Sequence, residues 1–281
     1  MDNTLGGVLR TAIHAFKKTF WQIFSIQLGV YASMFIMGLT AALFFGKDLA
    51  AIRQMNPDMI SSILTPMLPK IILFFLLSLV VAFLMFLVGI SIVLIVRNSI
   101  IVGKSLIKEA FLESFRKIWK ILGFGIILGV SVIFISIVLA MLLGKSFLLI
   151  LIPLFVFLGP VLFTANYNLL CKEGDFIELI SDGISLGTHN WLRIFGYMAL
   201  VVISAIALAI VVSLILILLQ TVGNLTVLVK IISYIWQIVL SLFITCFYTV
   251  FYLDLAGIKP QTENLIETNQ VNQTNQSQIM P

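Results

Sequence analysis

The chain has 281 residues, of which 61% are hydrophobic and only 10% charged. A water-exposed surface needs about 25% charged residues, so a soluble globular domain of this composition is excluded and lipid is the natural solvent for much of its surface. The net charge of +5 points to anionic lipid headgroups. It does not point to nucleic acid, because the basic residues flank apolar runs instead of forming a basic domain of their own.

Before the first apolar run, Leu5, Val8, Leu9, Ala12, Ile13, Phe16 and Phe20 recur at helical spacing, with Arg10, His14, Lys17 and Lys18 on the other side. This pattern predicts an amphipathic helix in the headgroup plane, with Thr4 placed to cap it. The run that follows, Thr19–Gly46, exceeds the roughly 7–15 residues of a signal-peptide core and is expected to be retained as a first span. Five further uncharged runs, Ile71–Val96, Ile121–Gly144, Ser146–Leu170, Ile194–Leu219 and Ile231–Leu253, are each long enough to cross about 30 Å of hydrocarbon.

The outer loop Lys47–Lys70 contains Met55-Asn56-Pro57-Asp58. Asn56 is a favourable N-cap and Pro57 a favourable first residue for a short surface helix carrying Met59, Ile60, Ile63, Leu64 and Met67, which Pro66 and Pro69 are expected to end. Between spans two and three, Ile107, Phe111, Phe115 and Ile118 form a second apolar stripe opposite Glu109, Glu113, Arg116, Lys117 and Lys120. Glu113 and Lys117 have the favourable i, i+4 order, expected here as an exposed pair of a few tenths of a kcal/mol. Lys104 and Lys108 add to the basic surface. Span four carries Pro153 and Pro160 on one face, a candidate hinge. After it, Asp175 and Glu178 form a capping-box-like start to a third surface helix with Phe176, Ile177, Ile180, Ile184 and Leu186 as apolar contacts.

Trp21, Trp119 and Trp191 each stand where an odd-numbered span begins, as interfacial anchors. Their shared placement is that of three copies of one unit, residues 4–97, 98–171 and 172–257. The expected fold class is therefore an all-α membrane protein: about six transmembrane helices with three cytoplasmic-side amphipathic interfacial helices, in a single domain over 1–258. The Asn/Gln-rich tail, 259–281, is expected to be disordered.

Placing both termini inside puts twelve Lys and Arg residues in the cytoplasm against five outside. The positive-inside rule favours that arrangement. The basic membrane-surface residues are then Arg10, Lys17, Lys18, Lys104, Lys108, Arg116, Lys117 and Lys120.

Catalytic chemistry is missing. No HExxH, GxSxG or GxxxxGK[ST] motif occurs, and no run contains an ionisable pair. Cys171 and Cys246 read as small hydrophobic residues, and His14 and His189 lack a second ligand nearby. The acids Glu173, Asp175, Glu178 and Asp182 are explained by a helix start. In-span polar residues such as Ser91, Thr40, Ser131, Asn166 and Thr245 are expected to hydrogen-bond between helices. No cofactor or metal is expected.

The N-terminal surface helix, Met55-Asn56-Pro57-Asp58, the proline-containing span four and the segment through Leu186, Asn190, Trp191 and Arg193 together resemble the YciC-type family of bacterial inner-membrane proteins. That family is distantly like the membrane domain of glycerophosphodiester phosphodiesterases. The resemblance implies a multi-pass envelope protein and supplies no catalytic residues; with no phosphodiesterase domain present, that activity does not carry over. The expected function is non-enzymatic organisation of lipid or partner proteins, the alternative being a transporter or channel for a lipidic or uncharged solute.

Overall fold

The computed structural model describes residues 4–52, 60–223 and 226–258. Among these there is no strand. The chain forms α1 (Leu5–Ile52), α2 (Ile60–Ile101), α3 (Ile107–Leu143), α4 (Phe147–Cys171), α5 (Phe176–His189), α6 (Trp191–Gly223) and α7 (Thr226–Leu255), with one 3₁₀ turn, Gly144–Ser146, between α3 and α4. That turn needs a left-handed residue, and Gly144 supplies it at φ +56°. Long helices are what an apolar chain must form in lipid, since each then satisfies its own backbone.

α1 differs from expectation. The N-terminal surface helix and span one form one unbroken helix of 48 residues. Thr4 does cap it, accepting the Gly7 N–H at 3.3 Å. Its stripe of Val8, Ala12, Ala15, Thr19 and Ile23 is buried in the bundle, while Leu9 and Ile13 face outward. The small residues in that stripe let α1 approach its neighbours closely. Phe16 meets Phe243 of α7 edge-on at 5.6 Å. The apolar face of this segment thus finds protein, and the segment stands upright as part of the bundle.

α2 also runs unbroken, through Pro66 and Pro69, so the expected short outer helix is continuous with span two. Each proline withdraws one backbone hydrogen bond, yet its fixed φ is compatible with the helix. Asn56 and Pro57 lie outside the described residues.

α3 is turned partway from expectation at its start: Ile118 is buried and Glu109 and Arg116 are exposed as expected, but Glu113 and Lys117 turn inward. The buried side carries Ala110, Glu113, Ser114, Lys117 and Ile118, whereas Leu112, Phe115 and Trp119 are exposed. Surface segment and span again form one helix. The third surface segment is the separate element, α5. Asp175 stands at its N-cap with extended backbone, but its side chain makes no capping hydrogen bond.

α4 and α5 form a tight antiparallel hairpin. A Cβ on Gly183 would fall 2.5 Å from the Ala165 Cα, and one on Gly187 would fall 2.8 Å from the Val161 Cα. Gly183 and Gly187 are thus a small-xxx-small contact that brings two backbones together.

The core lies at one end of the bundle. It is built from the first turns of α1, the last turns of α2 (Leu87 to Val96), of α4 (Ala165 to Cys171) and of α7 (Ile238 to Leu253). Away from it the helices expose apolar side chains, among them Phe35, Leu43, Leu73, Met141, Leu149 and Ile203. Such a belt far exceeds the apolar patches of soluble monomers and matches acyl chains. Five helices, α1, α2, α3, α6 and α7, are long and apolar enough to cross a membrane.

Candidate functional site

At the core end, cationic side chains reach the carbonyl ends of neighbouring helices. A helix C-terminus leaves carbonyls without intrahelical donors and carries partial negative charge, so Lys and Arg are favoured there. Lys18 of α1 donates to the carbonyls of Gly103 (2.6 Å) and Ser99 (3.5 Å) where α2 ends. Lys117 of α3 donates to the carbonyls of Leu170 (2.6 Å) and Lys172 (3.0 Å) where α4 ends. Arg97 reaches the Cys171 carbonyl at 3.2 Å, and Lys120 reaches the Gly174 carbonyl at 2.7 Å.

Glu113 balances this charge. Arg97 holds its two oxygens in a bidentate pair at 2.8 and 2.9 Å, and Lys117 lies 3.0 Å away. Glu113 and Lys117 are 9% and 6% exposed, which answers why charged residues face inward: their partners are inside. The group precedes the uncharged run that starts at Ile121. Burial alone raises the Glu113 carboxyl, but Arg97 and Lys117 outweigh it and hold the group below its ordinary value.

Further ties close the same end. Asn168 of α4 donates to the Leu179 carbonyl of α5 (2.6 Å) and accepts the Tyr252 hydroxyl of α7 (2.5 Å). Arg193 of α6 pairs with the buried Asp254 of α7 at 2.8 Å. Ser91 donates across to Ser114 at 3.0 Å. Thr40, Ser131 and Thr245, by contrast, bond the carbonyl four residues earlier in their own helices, contrary to the expected interhelical role.

The sequence-derived basic surface therefore divides. Arg10, Lys17, Lys104, Lys108 and Arg116 are exposed. Lys18 and Lys120 are engaged with carbonyls, and Lys117 is an interior residue, which corrects its assignment to the membrane surface. The tryptophans divide as well. Trp21 and Trp119 are 74% and 72% exposed. Trp191 is half-buried, stacks on Phe157 and Phe195, and donates its indole N–H to the Phe157 carbonyl at 2.7 Å. α4 is helical through Pro153, which is exposed, and Pro160, which is buried. Pro160 withdraws its backbone donor from the Val156 carbonyl, one residue before the Phe157 carbonyl that the α6 indole bonds.

Sequence reading did not single out Asn168, Asp254, Gly183 or Gly187. The Gly183-Ile184-Ser185-Leu186-Gly187 spacing was a visible signal for close packing. Arg97 and Asp254, ionisable residues directly after apolar runs, were visible signals for interhelical pairing.

Between α3 and the end of α4 lies a cleft of ≈ 200 Å³ whose walls include Arg116, Lys120 and Lys172. Among the described residues no group of three or more His, Cys, Asp or Glu side chains is placed to hold a metal ion. Cys171 and Cys246 are buried free thiols. No protein-family model matches the chain, and neither the curated proteins nor the solved structures include a match. Helix length, the exposed apolar belt and the charged, tied end together define a multi-pass α-helical membrane protein.

Proposed function

We propose that this is a non-enzymatic, six-span protein of the bacterial inner membrane that organises anionic lipid at its cytoplasmic face. The observation that carries the reading is the exposure of Arg10, Lys17, Lys104, Lys108 and Arg116 at the one end where the helices are tied. Each such cation near anionic lipid contributes about 1 kcal/mol. Counting α4, 25 residues long, as the sixth span returns both termini to the cytoplasm, the side the positive-inside rule favours. Kinship with the YciC-type family and descent from a three-unit repeat belong to the same reading. The test is lipid retention by the purified protein from vesicles with and without anionic phospholipid. Enrichment of the anionic lipid is the expected result; identical retention overturns the proposal.

A second reading rests on a crevice of ≈ 330 Å³ that opens among α2, α3, α4 and α7, with Met85, Phe86 and Val93 beside Asn166, Tyr167 and Thr245. An apolar slot with a few uncharged polar groups suits a lipidic or uncharged solute, as a transporter or channel requires. Flux of such solutes into proteoliposomes separates this reading from the first.

A further inference from the structure

We infer that the cleft between α3 and the α4 terminus is a specific site for the phosphodiester of one anionic glycerophospholipid. This deepens the lipid-organising reading and rests on it. Three features set the cleft apart from the rest of the basic end.

The first is charge left over after internal pairing. Arg116 and Lys172 line the cleft and make no ion pair with any described residue. Lys120 is held in place by the Gly174 carbonyl, a single bond that leaves two of its three N–H donors. Glu113, at the base, already has both oxygens taken by Arg97 and one shared with Lys117. Glu173 is the one acid on the rim whose charge is not offset by a salt bridge, against three available cations.

The second is the treatment of the α4 terminus. Bare carbonyls there would repel a phosphate. Those of Leu170, Cys171, Lys172 and Gly174 already accept hydrogen bonds from Lys117, Arg97 and Lys120. Apart from the Glu173 carboxylate on the rim, the wall facing an anion is therefore made of donors and satisfied acceptors.

The third is depth. Trp119 follows Arg116 by three residues and precedes Lys120 by one, and its indole is exposed; rings of this kind settle between headgroups and acyl chains, which on this proposal sets the cleft at headgroup depth. Phe115 and Leu112 continue the apolar surface of α3 beside it. A phosphate at Arg116, Lys120 and Lys172 has its acyl chains alongside α3. Free phosphate shares the headgroup chemistry but gains nothing from that surface.

The experiment counts lipid adducts on the intact full-length chain by mass spectrometry, with phosphatidylglycerol, with phosphatidylcholine, and with phosphatidylglycerol plus millimolar inorganic phosphate. Two variants remove equal charge: Arg116→Gln with Lys120→Gln and Lys172→Gln in the cleft, and Arg10→Gln with Lys17→Gln and Lys104→Gln outside it. The single variant Arg116→Gln, which breaks no internal hydrogen bond, guards against a folding defect in the cleft triple. One tightly held phosphatidylglycerol in the wild type and the outer variant, weakened at least tenfold in the cleft triple and measurably in Arg116→Gln, is the expected result. Equal loss in both triples overturns the site and leaves the general lipid attraction standing. No preference for phosphatidylglycerol over phosphatidylcholine in any form overturns both. Displacement of the lipid by inorganic phosphate overturns the lipid as occupant.

Discussion

Glu113 sits between Arg97 and Lys117, so removing its charge leaves two inward-facing cations without a counter-charge, held only by neutral acceptors. Breaking a buried pair from one side costs roughly 3–5 kcal/mol. Glu113→Ala is therefore expected to lower thermal stability in detergent by that order, while the same change at the exposed Glu109 leaves it within about 0.5 kcal/mol. The pH dependence has a definite sign. A carboxyl held below its ordinary 4.5 binds fewer protons folded than unfolded, so its contribution is complete above that value and fades as the solution is acidified through it. The wild-type melting temperature is expected to fall more steeply between pH 5 and pH 3.5, on the order of that one group's titration, than that of Glu113→Gln. The Glu113–Lys117 spacing was legible in the sequence; its inward orientation was not. An amphipathic stripe beside a membrane reads as charge outward, and only the partners supplied by α2 and α4 reverse it.

At the scale of the element, the α4–α5 hairpin depends on two absent side chains. Gly183→Ala places a methyl against the Ala165 backbone and is expected to cost about 1–3 kcal/mol through forced separation of the helices, read as a lowered melting temperature. Gly29→Ala is the comparison, since nothing lies within 4 Å of its added Cβ, and it is expected to leave the melt unchanged or slightly raised. Asn168→Leu strands the Tyr252 hydroxyl, at about 1–3 kcal/mol for a buried group left without a partner, while the Leu179 carbonyl keeps its bond within α5. Helix existence along most of the chain followed from the apolar runs. Helix boundaries did not: α1 and α3 each join two segments of different pattern, because a change in the solvent around a helix, from headgroup to acyl chain, changes the residues without interrupting the backbone ladder. Only at Asn190, whose side chain and backbone N–H both turn back to the Leu186 carbonyl, does such a junction break.

Across the whole molecule, order is unevenly distributed. Among the described residues, polar ties between helices cluster at one end, and the opposite halves of α1, α3 and α6 expose apolar side chains to their surroundings. The hydrophobic runs made the membrane class legible from composition alone, whereas the tied end depends on hydrogen bonds between residues up to 85 positions apart, which no local pattern encodes. Sidedness has a direct test. Cysteines introduced at Arg10 and Lys104 are expected to react with an impermeant maleimide from the cytoplasmic side and one at Lys230 from the other, on a native background whose own Cys171 and Cys246 are shielded. Labelling of Lys104 and Lys230 from the same side contradicts the proposed topology.

The unbroken α1 has a mechanical meaning. Its 48 residues extend about 72 Å, more than twice the roughly 30 Å of hydrocarbon they traverse. A rod of that length without a joint acts as a lever: torque applied to the arm around Arg10 and Lys17 is delivered to the far leaflet with no slack, and whatever grips that arm sets the tilt of the first crossing.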